Sequence, residues 1–167
     1  MRKVKDILKK YCKDKGFRLN QDKENSNIMH LPIFATNFTY QGRAIIDEEN
    51  TWFEFYSTIS IPFRRNQQEI LLELTNRVNW EVSNGSILIN IEEKFLAYCT
   101  SIPYQGIDND GKIFDTIIDG NISVIDHYYP AYLLVSYGGK SAEEALKGLE
   151  EICYEEEIEE SKKQLPN

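Results

Sequence analysis

Residues 110–139 have the sequence DGKIFDTIIDGNISVIDHYYPAYLLVSYGG and form the longest stretch with helical periodicity in the chain. Polar residues recur along it at steps of three or four and share one helix face, whereas isoleucines and aromatic residues occupy the other faces. This apolar arc is wider than a surface helix needs. We therefore expect a sheet to cover one side and a second helix, or a second copy of the chain, to cover the other. Pro130 removes one helical hydrogen bond, which predicts a bend or a break near residues 127–130.

The rest of the chain predicts an α+β fold in the order α-β-β-α-β-β-α-α. Helical spacing predicts helices at the start of the chain, after Asn66 and after Ser141, where Glu144 completes a capping box. Alternating apolar residues predict an antiparallel sheet built from two hairpins, with the helices packed on it. In chain order, the predicted segments are a helix over 2–16, a flexible loop over 20–30, a hairpin over 33–61, a helix over 66–84, a hairpin over 87–102, the helix described above, a last helix from 141 and a frayed acidic tail over 156–167.

The length and composition indicate a single domain over residues 1–167, large enough to fold without disulfides or a structural metal. The cysteines Cys12, Cys99 and Cys153 are far apart and have no neighbouring histidine, which favours a reducing cytoplasm over secretion. The first residues lack the apolar run of a signal peptide, and no stretch has the ~20 apolar residues of a membrane span. The net charge of −8 opposes binding to nucleic acid, although the start of the chain is basic and its end is acidic. We expect neither a nucleic-acid partner nor a membrane partner.

Three segments together resemble the YbjN family of bacterial proteins. They are FYSTISIP (residues 55–62), LTNRVNWEVSNGSILINIEEKFLAYCTSI (residues 74–102) and DHYYPAYLLVSYGGKSAEEAL (residues 126–146), and the likeness covers about residues 38–155. The resemblance implies a twisted antiparallel sheet with helices on one face, as in the chaperones of type III secretion, and a homodimer. It also implies a non-enzymatic protein that binds other proteins or acts as a sensory transduction regulator, without a cofactor and without established catalytic residues.

The residues that could carry chemistry have simpler structural interpretations. Asp126 and His127 are neighbours on one helix, so their side chains diverge by ~100° and do not face each other. His30 precedes a predicted strand and has no carboxylate near it in the sequence. Cys99 alternates with Ala97, which is typical of a core cysteine.

Two short motifs suggest a bound ion or phosphate but are incomplete. The IDNDGK segment at residues 107–112 resembles part of a calcium loop, yet Ile113, Phe114 and Ile117 stand where further ligands would be needed. The YGGKS segment at residues 137–141 lacks the preceding strand and first glycine of a phosphate loop. We interpret both segments as caps and turns.

The aromatic residues are the best indication of a binding surface. Their number exceeds what one core face needs, and tyrosine and tryptophan favour surfaces that are apolar on one side and wet at one end. The predicted interface consists of Trp52, Tyr56, Tyr128, Tyr129, Tyr132 and Tyr137, with Tyr104 as a further candidate.

These observations predict a non-enzymatic cytoplasmic protein that forms a homodimer and binds a protein partner, with no catalytic, cofactor or metal site. A first alternative is an acidic neutralising partner of a basic protein, acting through the glutamate-rich last helix. A second alternative is a small enzyme, which would require a pocket that gathers His127, Cys99 or several aspartates.

Overall fold

The computed structural model describes residues 4–103 and 111–163, and within residues 153–163 it gives the path of the helix alone. The predicted α+β class is confirmed: an antiparallel sheet of six strands, in the order β1-β2-β3-β4-β6-β5, is combined with four helices. The elements are α1 (Val4–Asp14), β1 (Asn20–Gln21), β2 (Ile28–Phe34), β3 (Thr39–Asp47), β4 (Trp52–Ser60), α2 (Gln68–Glu81), β5 (Ser86–Asn90), β6 (Phe95–Pro103), α3 (Gly120–Ser136) and α4 (Ala142–Lys163).

Strand alternation gives the sheet one buried face. In β4, Phe53, Phe55 and Ser57 are fully buried, while Trp52 and Tyr56 point to the opposite face. The predicted alternation of this strand is therefore confirmed, because residues two apart share a face. The four helices contribute to a single core cluster with the buried face of the sheet.

The central helix α3 is covered on both sides, as its wide apolar arc requires. It packs on β4 and β6 with one side and on α4 and α2 with the other. A second helix, and not a second copy of the chain, therefore completes its cover. The helix continues through Pro130 to Ser136, so the expected break does not occur there. A π-helical segment, Asp115–Asp119, stands at the start of this run.

The flexible loop expected over residues 20–30 is instead part of the sheet. Asn20 pairs with His30, and the carboxylate of Asp22 accepts hydrogen bonds from two backbone N–H groups of the following turn, each at 2.9 Å. Such side-chain to backbone bonds shape a polar segment without apolar periodicity. Pro32 makes β2 hard to recognise in the sequence, because proline cannot donate a hydrogen bond to a neighbouring strand. It is tolerated because β1 spans two residues and does not pair with β2 at that position.

The cap predicted for α2 is wrong, and the cap predicted for α4 is confirmed. The chain enters α2 through a 3-10 turn, and the side chain of Gln67 accepts a hydrogen bond from the N–H of Arg64 at 2.8 Å, so Asn66 is not the cap. The capping box of α4 is confirmed: Ser141 Oγ accepts from Glu144 N at 3.2 Å, and Glu144 Oε2 accepts from Ser141 N at 2.9 Å.

The end of the chain is more helical than expected. The tail predicted to fray over 156–167 falls partly within α4, which extends to Lys163, and partly on 164–167, outside the described residues. Glutamate and lysine are good helix formers, so this composition favours continuation of the helix.

Candidate protein-binding surface

Two of the six predicted interface residues belong to the core. Tyr132 is fully buried, and its hydroxyl donates to Thr75 Oγ1 at 3.1 Å. Tyr129 is also buried and donates to the carbonyl of Ser60 at 2.9 Å. The interface prediction is wrong for this pair, because the helices and the sheet enclose α3 at these positions. Tyr104 lies outside the described residues.

The other four predicted residues do not form one surface. Tyr128 and Tyr137 lie on the helical side of the domain, where Tyr128 donates to Glu81 Oε2 at 2.9 Å and Tyr137 is 75% exposed. Trp52 and Tyr56 lie on the sheet, on the face turned away from the helices. The predicted interface residues therefore lie in three separate places: the core, the helical side of the domain and the face of the sheet turned away from the helices.

The face of the sheet that carries Trp52 and Tyr56 has no helix packed on it among the described residues, and we call it the open face. Strand register brings Arg43 of β3 opposite Tyr56 of β4, and Cys99 of β6 opposite Tyr56 on its other side. Leu88 of β5 pairs with Ala97 of β6 at the far edge. The open face therefore combines an aromatic ring, a cation, small side chains and an exposed leucine.

A groove with a volume of about 860 Å³ lies on the open face. Its floor is Ala97, which is 3% exposed because larger side chains stand around it. Its lining includes Arg43, Tyr56, Thr58, Leu88, Phe95 and Ala97, with Glu92 and Glu93 of the β5–β6 turn at one end. A concave, mostly apolar surface with a few polar groups is typical of a binding site.

The polar groups of the groove are held in place by each other. The Arg43 guanidinium lies over the Tyr56 ring at 5.1 Å, and the Tyr56 hydroxyl donates to Glu54 Oε2 at 3.0 Å. Burial raises the pKa of Tyr56, and hydrogen bonds with Cys99 and Glu54 raise it further. The tyrosine hydroxyl therefore stays protonated and remains a donor. Within the described residues, Arg43 has no carboxylate at ion-pair distance.

Of the candidate catalytic groups, Cys99 and His30 lie away from the others, whereas His127 lines a cavity with Asp119 and Asp126. Cys99 lies half-buried on the open face and not in the core, and burial, the largest cause, raises the pKa of its thiol. A protonated thiol is a poor nucleophile. His127 is exposed on α3, on the helical side. His30 does have a carboxylate partner, since its Nε2 lies 3.0 Å from Asp22 Oδ2 across the β1–β2 turn.

The two motifs interpreted as caps and turns separate in the same way. Gly139 has a φ of +62° and ends α3, with its N–H donating to the carbonyl of Val135, so the YGGKS segment is a helix junction. Asp115 and Asp119 both lie beside Lys15, at 2.6 and 3.0 Å, while Asp108 and Asp110 are outside the described residues. Across the described ranges, no three histidine, cysteine or acidic side chains are grouped as a metal site would need.

Sequence reasoning missed two asparagines, one half-buried and one buried, that form hydrogen bonds with the backbone of the strands that carry the groove. Asn79 of α2 donates to the carbonyl of Ile87 at 3.0 Å and accepts from the N–H of Ile87 at 2.7 Å, on the outer edge of β5. Asn121 of α3 is buried, and its Nδ2 donates to the carbonyls of Phe55 and Tyr98 beneath the groove. The only sequence signal for Asn79 was its place in the helix, asparagine and strand pattern of residues 74–102.

Comparisons with known proteins show the fold. No protein-family model and no curated protein matches the chain. Among solved structures, it is similar to YbjN from E. coli, a candidate transcription regulator, with a TM-score of 0.53 and 15% identity over 74% of this chain and 87% of that chain. It is also similar to a chain of the HopA1–SchA chaperone–effector complex, with a TM-score of 0.49 and 12% identity over 71% of this chain and 87% of that chain. The chain has the YbjN-like fold that the resemblance predicted. None of the described helices is both long and apolar enough to cross a bilayer.

Proposed function

We propose that the chain is a non-enzymatic protein-binding module that holds an extended segment of a partner protein on its open face. The observation that carries this proposal is the groove of about 860 Å³ on a sheet whose other face alone is covered by the described helices. Arginine and tyrosine are among the residues enriched at the centres of interfaces, and Arg43 and Tyr56 stand together in this groove. Burial raises the pKa of the Cys99 thiol, which disfavours a nucleophilic role for this residue.

The groove also defines the chemistry of the segment that it would hold. Leu88, Phe95 and Ala97 offer contacts to apolar side chains, and Arg43 offers a guanidinium that has no carboxylate partner within the described residues. An extended segment places alternate side chains on one side. A partner segment with apolar residues and an aspartate or glutamate two residues apart would satisfy both features, since arginine binds carboxylates in a fixed, two-bond geometry.

Site-specific photocrosslinking in the cell that makes the protein tests this proposal. A photoreactive amino acid at Leu88, which is 45% exposed on the open face, should form an adduct with one partner protein, and Arg43→Glu should abolish that adduct. Leu72, which is 50% exposed on α2, is the matched control position and should give no adduct with the same partner. Equal adducts at both positions, or an adduct that is insensitive to Arg43→Glu, would refute a role for the groove.

The oligomeric state is a separate part of the proposal. We propose a homodimer, as the YbjN resemblance implies, and light scattering at high micromolar concentration measures it directly. A monomer at that concentration would contradict the dimer. If the open face joins two copies, the crosslink at Leu88 yields a dimer of this chain and Leu88→Asp yields a monomer.

The acidic alternative is separable by its salt dependence. A neutralising partner of a basic protein would act through the glutamates of α4, and its complex would weaken strongly as salt is added, because the Debye length falls from about 10 Å at 0.1 M to about 3 Å at 1 M. Docking in the groove through apolar contacts would lose much less affinity. A cytoplasmic location and a regulatory role belong to the same proposal.

A further inference from the structure

A second cavity, on the opposite side of the sheet from the groove, lies between the β2–β3 turn and the first half of α3. Its volume is about 500 Å³. We call it the acidic pocket, and its lining includes Phe17, Phe34, Asn37, Asp119, Ile122, Asp126 and His127. Two carboxylates thus stand among apolar and aromatic side chains.

Asp126 is the unusual member of this pocket because it is a carboxylate that is only 8% exposed. Its Oδ1 accepts from the Tyr40 hydroxyl at 2.8 Å, and its Oδ2 accepts from the Asn37 backbone N–H at 3.3 Å and from Asn37 Nδ2 at 3.2 Å. Burial first, and then the hydrogen bond to Asp126, raises the pKa of Tyr40, so this hydroxyl stays protonated and keeps donating. Two carboxylate oxygens offer about four acceptor positions, so three donors leave one position without a hydrogen-bond donor.

The described part of the protein places no salt-bridge partner on Asp126. All three of its donors are neutral, and no lysine or arginine lies within ion-pair distance of it among the described residues. Burying a carboxylate costs free energy because its water is removed, and here that cost is already part of folding. A cation that enters the pocket therefore gains the attraction to Asp126 without a second desolvation of the carboxylate. Asp119 differs, since Lys15 already lies 3.0 Å from its Oδ2 and Tyr11 donates to its Oδ1.

The rim of the pocket selects among cations. Phe34 is 80% exposed at the end of β2, which is unusual for a phenylalanine, and Phe17 and Ile122 extend the apolar wall. A guanidinium is flat and weakly hydrated and stacks on aromatic faces, whereas an ammonium is a compact and strongly hydrated charge. The combination of an uncompensated carboxylate with an exposed ring therefore favours a guanidinium.

We propose that the acidic pocket binds a guanidinium group, with Asp126 as its carboxylate partner and Phe34 as its stacking surface. The inference does not depend on the function proposed for the open face. The guanidinium has two sources, an arginine side chain of a protein segment or a free small guanidinium compound, and the experiment separates them.

An NMR titration of the whole chain, followed through its backbone amide signals, tests the proposal with three probes at millimolar concentrations. N-acetyl-arginine methylamide should give saturable shifts at Asn37 and around Asp126, and the neutral citrulline analogue should bind at least about tenfold more weakly. Methylguanidinium distinguishes the sources: equal affinity points to a free small compound, and weaker affinity points to an arginine within a peptide chain. Shifts of equal size with the citrulline analogue, or no saturable shift with any probe, would overturn the proposal.

Two variants and a control locate the binding groups. Asp126→Asn keeps the size of the side chain and should weaken the binding of blocked arginine at least about tenfold, because the charge is lost. Phe34→Ser changes an exposed position, so the fold is retained, and it should weaken binding several-fold even if Asp126→Asn does not fold. Asp14→Asn removes an exposed carboxylate on α1 and should leave affinity unchanged. Wild-type affinity in the folded Phe34→Ser variant would refute the stacking role, and wild-type affinity in a folded Asp126→Asn variant would refute the site.

Discussion

Replacing Asn79 with alanine should loosen the outer edge of β5 and lower the stability of the whole domain. The Asn79 amide stands where a seventh strand would pair, because it donates to the carbonyl of Ile87 and accepts from its N–H, at 3.0 and 2.7 Å. The Ile87 side chain is buried, so the backbone at this point has limited access to water. Alanine would leave both backbone groups without their partner.

The expected loss in the free energy of unfolding follows from these two bonds. Each contributes about 0.5–1.5 kcal/mol net, and unsatisfied backbone groups add to the cost where water cannot replace the amide. Because Asn79 is itself half-buried, we expect a total of about 2 kcal/mol. Asn79→Asp keeps the acceptor for the Ile87 N–H but sets a carboxylate oxygen against the Ile87 carbonyl. Its deficit should therefore shrink as the pH falls to about 4, where the carboxyl gains a proton and can donate.

Urea denaturation measures this change, and Asn76→Ala is the matched control, since Asn76 is an exposed asparagine on the same helix. Hydrogen exchange adds a local measurement, because the amide of Ile87 loses its acceptor in the Asn79→Ala variant and should exchange faster than in the wild type. The reasoning is refuted if Asn79→Ala and Asn76→Ala differ by less than about 0.5 kcal/mol, the usual range of neutral surface changes. It is also refuted if protection of the Ile87 amide is unchanged.

Two further predictions follow from the buried and charged contacts. Tyr132→Phe removes the hydroxyl that bonds to Thr75 and should lower the free energy of unfolding by about 1 kcal/mol, whereas Tyr137→Phe at an exposed position should not change it; equal thermal stability of the two variants would contradict the buried bond. The hydrogen bond with His30 is the largest cause that lowers the pKa of Asp22 to about 2, and hydrogen bonds from two backbone N–H groups lower it further. Because the pKa of an aspartate is about 4 in the unfolded chain, the stabilisation of the β1–β2 turn is present above pH 4 and is lost as the pH falls through 2. An NMR titration of the Asp22 carboxyl should show this depressed pKa, and His30→Ala should move it toward 4.

The sequence could predict those features that local periodicity determines. The width of the apolar arc in residues 110–139 indicated that α3 must be covered twice, and the sheet and α4 provide the two covers. The Ser141 and Glu144 pair indicated the start of α4, because a capping box needs only two residues at fixed spacing. The alternation in β4 indicated which of its faces is buried.

The remaining features depend on contacts between distant parts of the chain. A tyrosine can be a surface residue or a core residue, and for Tyr132 the outcome depends on Thr75, which lies in another helix. The groove depends on the register that sets Arg43 beside Tyr56, and on which face of the sheet the helices pack against. Asp126 forms its hydrogen bonds to the β2–β3 turn, and no spacing in the sequence connects these two places.

The π-helical segment Asp115–Asp119 sets the rotational phase between the two halves of the run that ends at Ser136. Upstream of it, Phe114 is fully buried and its ring lies 4.9 Å from that of Phe53 and 5.6 Å from that of Tyr11. Downstream, Asn121 reaches the carbonyls of the sheet. The wide turn holds one residue more than an α-helical turn, so deletion of one residue inside it would convert it to an α-helical turn and leave Phe114 and Asn121 both facing the sheet. This run can therefore lose one residue at the wide turn, whereas deletion of a residue from the regular helix beyond Asn121 would rotate all later side chains by about 100° relative to the sheet.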